Sequence, residues 1–290
     1  MMEQIVMSHV PHGASVSPSQ AIAETEARIR AEPAVAAHRW ALFQWLCITQ
    51  QWDRAIRQLQ AFAQLDEAQG KIAHVYRDLV RAERVRAKVM SGAQEPGFVF
   101  DDNPAWMHGL HAALGLAASG DLEAADAARE SALDAAPLIC GASRLGSFDW
   151  IGDSDSRLGP VCEFIAAGRY RWLPIADIAA WRITRPGSLV DLIWAPGTLT
   201  LVDGTELNGF LPARYPDTPA LEQTEREALL LGRRTVWRDA GRTGVFASGC
   251  KTWATSAGDF GVFDLVECTF GDTARAGESA RAGAGSGLAQ

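Results

Sequence analysis

Trp52-Asp53-Arg54-Ala55, followed one helix later by Leu65-Asp66, has a counterpart in Gly120-Asp121-Leu122-Glu123-Ala124-Ala125, followed by Leu133-Asp134. Asp53 and Asp121, like Asp66 and Asp134, stand two steps of about 34 residues apart, the period of tetratricopeptide-like helix pairs. The flanking residues support helices. Leu42, Trp45, Leu46 and Thr49 share one face, Ile56, Leu59, Phe62 and Ala63 the next, and Trp106, Leu110, Ala113, Leu114 and Ala117 a later one. Asp53 is placed to accept free amide hydrogens at the start of its helix. Ser17-Pro18 opens the first helix with the cap-then-proline order that suits a first turn. The stretch from Gly70 to Met90 is a longer helix in the place of a middle repeat; it lacks the Gly-Asp turn and reads as degenerate.

Past Cys140 the texture changes. Turn residues come often and short β-rich runs appear at Leu189–Trp194, Thr198–Val202, Thr235–Arg238, Val245–Ala247 and Val262–Phe270. Asp203-Gly204 predicts a hairpin whose primed turn takes positive φ at both central residues. One helical stretch, Pro174–Trp181, is expected between the strands. The fold class is therefore α+β: a flexible N-terminus over 1–17, a tetratricopeptide-like helical domain over 18–139, a compact, mostly β domain over 140–270, and a Gly/Ala-rich disordered tail over 271–290.

Composition narrows the function. The 290 residues carry a net charge of -8 with no compensating basic run, which argues against nucleic acid as a partner. Nowhere do eighteen apolar residues run together, and residues 1–20 lack the layout of a signal peptide, so neither a membrane span nor export is expected. The five cysteines (Cys47, Cys140, Cys162, Cys250, Cys268) are widely spaced and form no CxxC pair; they fit reduced thiols in the cytoplasm.

In the second half, several motifs occur in order: Phe148-Asp149-Trp150, Asp153-Ser154-Asp155-Ser156-Arg157-Leu158-Gly159-Pro160, Gly168-Arg169-Tyr170-Arg171-Trp172-Leu173-Pro174, Asp191-Leu192-Ile193-Trp194, Pro212-Ala213-Arg214-Tyr215-Pro216 and Leu231-Gly232-Arg233-Arg234-Thr235-Val236-Trp237. Together they resemble the ImpE/SciE family, also called TagJ, of type VI secretion accessory proteins, over about residues 20–270. The resemblance implies a non-enzymatic adaptor that engages the N-terminal helix of the small, TssB-like sheath subunit. It would act near the step at which the ClpV ATPase disassembles contracted sheath, and it implies no cofactor.

Individual residues divide between binding and packing. Trp40, Phe43 and Gln44 lie partly off the core-facing stripe of their helix, where surplus apolar surface suits a helix-in-groove site; contact with the preceding helix is the alternative. Trp150, Trp172 and Trp194 belong either to a binding surface or to the core. Arg157, Arg169 and Arg214, set among Gly, Pro and aromatic residues such as Tyr215, suit buried guanidinium ties between loops. Asp153 and Asp155 could begin a calcium loop, but Phe164 stands where a bidentate Glu is required, so bonds to loop amides and to Arg157 are the better reading. No metal site and no nucleophile motif emerges. A hydrolase using buried carboxylates is the alternative function, and it requires Asp149, Asp153 or Asp155 to converge with another acid in an open cleft.

Overall fold

The computed structural model describes residues 17–216 and 222–271. The expectations for both chain ends fall outside these residues, save at Ser17 and Gly271. Six helices come first: α1 (Pro18–Ala31), α2 (Ala36–Ile48), α3 (Trp52–Leu65), α4 (Gly70–Met90), α5 (Ala105–Ala118) and α6 (Leu122–Ala135). The sheet-rich half follows, and the fold is α+β.

The sequence repeat has its physical basis in two turns. At the end of α2, Gln50 takes φ 59° while its amide donates to Cys47 O (3.1 Å) and the Gln51 amide to Leu46 O (2.8 Å). At the end of α5, Gly120 takes φ 87°, with its amide on Ala117 O (3.1 Å) and the Asp121 amide on Leu116 O (3.1 Å). Both are left-handed C-caps that satisfy the last carbonyls of one helix and swing the chain into the next. This makes Gln50 the equivalent of Gly120, so α6 begins and ends 70 residues after α3. The true register is thus two residues from the Asp53–Asp121 match. Capping shifts accordingly. Asp121 accepts the Ala124 amide (3.1 Å), whereas Asp53 lies inside the first turn of α3 and its carboxylate meets Arg84 Nη2 of α4 at 2.6 Å.

The first strand, β1 (Gly97–Phe98), lies between α4 and α5. Then come β2 (Gly141–Ser143), β3 (Gly146–Phe148), β4 (Ile151–Asp153), β5 (Val161–Ala166), β6 (Arg169–Pro174), β7 (Ile178–Ile183), β8 (Trp194–Leu201) and β9 (Glu206–Pro212). A seventh helix, α7 (Gln223–Leu230), precedes β10 (Thr235–Ala240), β11 (Gly244–Gly249), β12 (Thr252–Thr255), β13 (Gly258–Gly261) and β14 (Glu267–Phe270). Nine strands form one sheet in the order β1-β6-β5-β9-β8-β7-β14-β2-β3, antiparallel except where β1 joins β6. β10–β11 is a separate ribbon, and β13-β12-β4 a small third sheet.

Four local expectations change. Leu189–Leu192 is a 3-10 turn and the strand begins only at Trp194. Pro174–Trp181 holds a three-residue 3-10 turn that leads straight into β7. Val262–Phe270 is strand only from Glu267. The β8–β9 connection takes positive φ at Gly204 alone, because the Asp203 carboxylate accepts the Thr205 amide (2.8 Å) and holds a different turn.

The large sheet separates two apolar clusters. One face packs on the helices, joining Leu46, Val80 and Met107 to Val161, Ile165, Trp172 and Trp194. The other gathers Phe164, Leu173, Trp181, Leu211, Trp253 and Phe270. Strand alternation in β5 thus aims Val161, Glu163 and Ile165 at the helices and Cys162 and Phe164 away from them.

Candidate functional site

α4 buries Leu79, Val80, Ala82 and Val89, yet Glu83 and Arg86 lie on the same buried face. Facing them across the helix–sheet interface is Glu163, placed by β5 between two apolar residues. Arg86 grips Glu163 in a two-pronged bond, Nε to Oε1 at 2.6 Å and Nη2 to Oε2 at 2.8 Å. Tyr170 donates to Glu163 Oε1 (2.6 Å) and Lys251 to Oε2 (2.8 Å). Lys251 continues to Asp153 Oδ2, and Tyr215 donates to Asp153 Oδ1 (2.6 Å). At the other end, the Trp194 indole donates to Glu83 (3.2 Å), while Arg86 Nη1 reaches the Arg214 carbonyl (2.9 Å). The result is a closed polar spine from α4 through the sheet to β12.

Its charges balance by proximity. Burial alone would raise the Glu163 pKa, but the attraction of Arg86 and Lys251 overcomes it and holds this carboxyl well below the usual range. Burial would lower Lys251, yet Asp153 and Glu163 keep it above its ordinary value. Asp153 is raised, because burial outweighs the pull of Lys251. A buried charge without such partners is costly, so the spine makes each member depend on the others.

The motif residues fall around this spine. Arg214 is fully enclosed and burial draws its pKa down to about 10; Nη1 donates to Ile48 O (2.8 Å) and Leu230 O (2.7 Å), and Nη2 to Cys47 O (2.9 Å). It therefore ties the C-terminal carbonyls of α2 and α7, the ends at which a cation is favoured. Asp155 holds Arg157 through both carboxylate oxygens and accepts the Ala247 amide (2.9 Å), fastening the 154–160 loop to β11. Trp172 and Trp194 are buried, whereas Trp150 is 37% exposed and Arg169 is exposed. Four spine members, Glu83, Arg86, Glu163 and Lys251, escaped the sequence reading. The available signal was a charge inside an apolar pattern, as in Val161-Cys162-Glu163-Phe164-Ile165.

Asp153, Asp155 and Glu163 do converge, but each carboxylate oxygen is taken by a cation, a tyrosine or a backbone amide, and all three side chains are buried. Asp149 is exposed and remote from that arrangement in its bonding, its amide donating to Ser256 Oγ (2.7 Å). The open cleft that the hydrolase reading requires is not what encloses these acids.

The helical half has a different opening. Between α3 and α4 runs a groove of about 480 Å³, floored by Ile56, Leu59, Ala63 and Ala73 and edged by Gln60, Gln64, His74 and Arg77. Phe43 does not reach such a surface. It is 0% exposed, stacked on Trp40 (5.2 Å between rings) and edge-on to Tyr76 (5.6 Å), so the binding role expected of Phe43 gives way to core packing. Trp40 is half-buried against Phe62 (5.3 Å) and Tyr76 (5.0 Å), and Gln44 is half-buried with its side-chain oxygen shielded from water and unpartnered among the described residues.

Comparison with known proteins agrees with this architecture. The family model described as ImpE protein matches residues 146–269. The type VI secretion system accessory component TagJ of Pseudomonas aeruginosa is 38% identical over 254 residues, spanning 87% of each chain. The X-ray structure of protein VPA1032 from Vibrio parahaemolyticus superposes with a TM-score of 0.79 at 25% identity, covering 87% of this chain and 93% of that one.

Proposed function

This chain belongs to the ImpE/TagJ family of type VI secretion accessory proteins, and from that premise we propose that it is a non-enzymatic adaptor for the contractile sheath. In this reading its helical half receives the N-terminal helix of the small, TssB-like sheath subunit, and its effect on ClpV-dependent disassembly is exerted through the sheath. The observation that carries it is the 38% identity to TagJ over 87% of both chains. Supporting it, helix pairs present grooved surfaces between their cylinders, a surface suited to another helix. Trp40 and Gln44, half-buried on α2, remain candidates for the rim of such a contact. No helix among the described residues is long and apolar enough to cross a membrane, which is compatible with work at a cytoplasmic sheath.

The test is calorimetric titration of the full chain with a synthetic peptide of the sheath subunit's N-terminal helix, with a scrambled peptide as control. Saturable binding of the native peptide alone is expected. Equal heats from both peptides, or none from either, would remove the sheath helix as partner.

A further inference from the structure

Within the polar spine, Lys251 sits between two carboxylates that play different parts, Asp153 with one oxygen pinned and Glu163 gripped by an arginine. We propose that Lys251 and Asp153 condense into an intramolecular isopeptide bond, Nζ to Cγ, with Glu163 as the proton carrier and water as the product. Strand pairing creates the encounter. β4 and β12 run antiparallel with Asp153 opposite Trp253, and Lys251 immediately precedes β12. Its Nζ contacts Asp153 Oδ2 and lies 2.8 Å from Glu163 Oε2. None of the three side chains is exposed, and the Trp253 and Tyr215 rings enclose Nζ further, at 5.2 and 5.5 Å from their centroids. Enclosure of this kind keeps out the bulk water that favours separate acid and amine. Holding the two partners in place is equivalent to an effective concentration of about 10⁵–10⁸ M.

The two oxygens of Asp153 are held differently. Oδ1 accepts the Tyr215 hydroxyl (2.6 Å) and the Asp155 amide (2.9 Å), donors that polarise the carboxyl carbon and steady negative charge on Oδ1 in a tetrahedral intermediate. Oδ2 bonds only Lys251 among the described residues, so it is the oxygen free to leave. Burial favours the neutral, attackable form of Asp153, while Arg86 keeps Glu163 ionised and therefore a base. Lys251 begins as the ammonium and gives one proton to Asp153 Oδ2. Its lone pair attacks Cγ, and the π electrons of that carbonyl move onto Oδ1. Glu163 Oε2 takes a second proton from Nζ and delivers it to Oδ2, which departs with its bonding pair as water. Oδ1 returns as the amide carbonyl, the third proton stays on the amide nitrogen, and Glu163 is regenerated. One buried cation and one buried anion disappear together, leaving Glu163 paired with Arg86. The bond joins positions 98 apart in the chain.

The test is intact-mass spectrometry of the purified full chain, reduced and denatured after prolonged incubation of the folded protein at neutral pH. Wild type is expected to be lighter than the mass calculated for its sequence by one water. Trypsin should then release a branched species that joins residues 145–157 to residues 243–275, uncut after Lys251. Lys251→Arg should match its own calculated mass and yield the two peptides apart. Glu163→Gln, folded by circular dichroism, should also keep its full mass; loss of water as complete as in wild type would overturn the part given to Glu163. A wild-type mass equal to the calculated one would overturn the proposal. So would a lost water that maps to a cyclised aspartate within a single peptide. Neither of these two results depends on a variant that folds.

Discussion

Glu163 holds Arg86 and Lys251 together, and Lys251 in turn is the neutraliser shared by Glu163 and Asp153. Lys251→Met should therefore cost about 3–5 kcal/mol of stability, because it strands two buried carboxylates in part. Adding Asp153→Asn should recover a measurable share of that loss in urea denaturation, since it removes one of the stranded charges. Independent effects that simply add would show that the two groups are not coupled. Phe43→Ala should cost about 3–5 kcal/mol through the cavity left under Trp40 and Tyr76. Its folded fraction should still bind the sheath helix at wild-type affinity, because no surface of Phe43 reaches solvent. The ion-pair partners of the spine were invisible at this scale in the sequence: Glu83 and Glu163 are eighty positions apart, and nothing local marks them as neighbours of one arginine.

At the scale of elements, the β10–β11 ribbon acts as a strap from the sheet half to α6. Its tip is held by Asp126, which accepts the Arg242 amide (2.7 Å), the Thr243 amide (3.1 Å), the Thr243 hydroxyl (2.9 Å) and Arg129 Nη1 (2.9 Å). Gly241 at the tip has φ 78°, and a Cβ there would lie 2.5 Å from Asp126 Oδ2. Gly241→Ala should lift the tip from α6, leaving far-UV circular dichroism intact while speeding trypsin cleavage at Arg238 or Arg242. Unchanged cleavage would show that the strap tolerates the intrusion. Element legibility followed the same division between local and distant causes. The helices were readable because apolar spacing and turn residues are local, and α4 carries the expected bounds of Gly70 and Met90. Leu189–Leu192 misled because its β-branched and aliphatic residues suit any buried segment, whereas the Ser188 and Asp191 capping box that makes it a 3-10 turn depends on backbone geometry.

Across the whole molecule, one apolar cluster runs from α2, α4 and α5 into β5, β6 and β8, so the helical and sheet halves should unfold in a single calorimetric transition. Two separated transitions would contradict a shared core. The pH dependence follows from the depressed carboxyls. Glu163 is held low by Arg86 and Lys251 against its burial, and Asp126 by the Arg242 and Thr243 amides. Both bind protons more weakly folded than unfolded, so their stabilisation is fully present above the ordinary carboxyl range of about 4 and is lost progressively as pH falls below it, through the depressed folded values. Asp153, raised by burial, works in the opposite sense and offsets part of this. The melting temperature should drop below about pH 4, and the drop should be shallower in Asp126→Asn; an identical profile in that variant would exclude Asp126 as a contributor.

The sequence by itself determined the α+β class, the order of helices before strands and the family, because all three rest on local periodicity, turn residues and ordered motifs. Tertiary structure alone decided what the motifs do locally. Arg214 meets α2 carbonyls 166 and 167 positions away, and Glu163 meets Arg86 from 77 positions away. It also decided that Phe43 is enclosed while the space between α3 and α4 stays open, since a helix's periodicity says which residues share a face but not which neighbour covers that face.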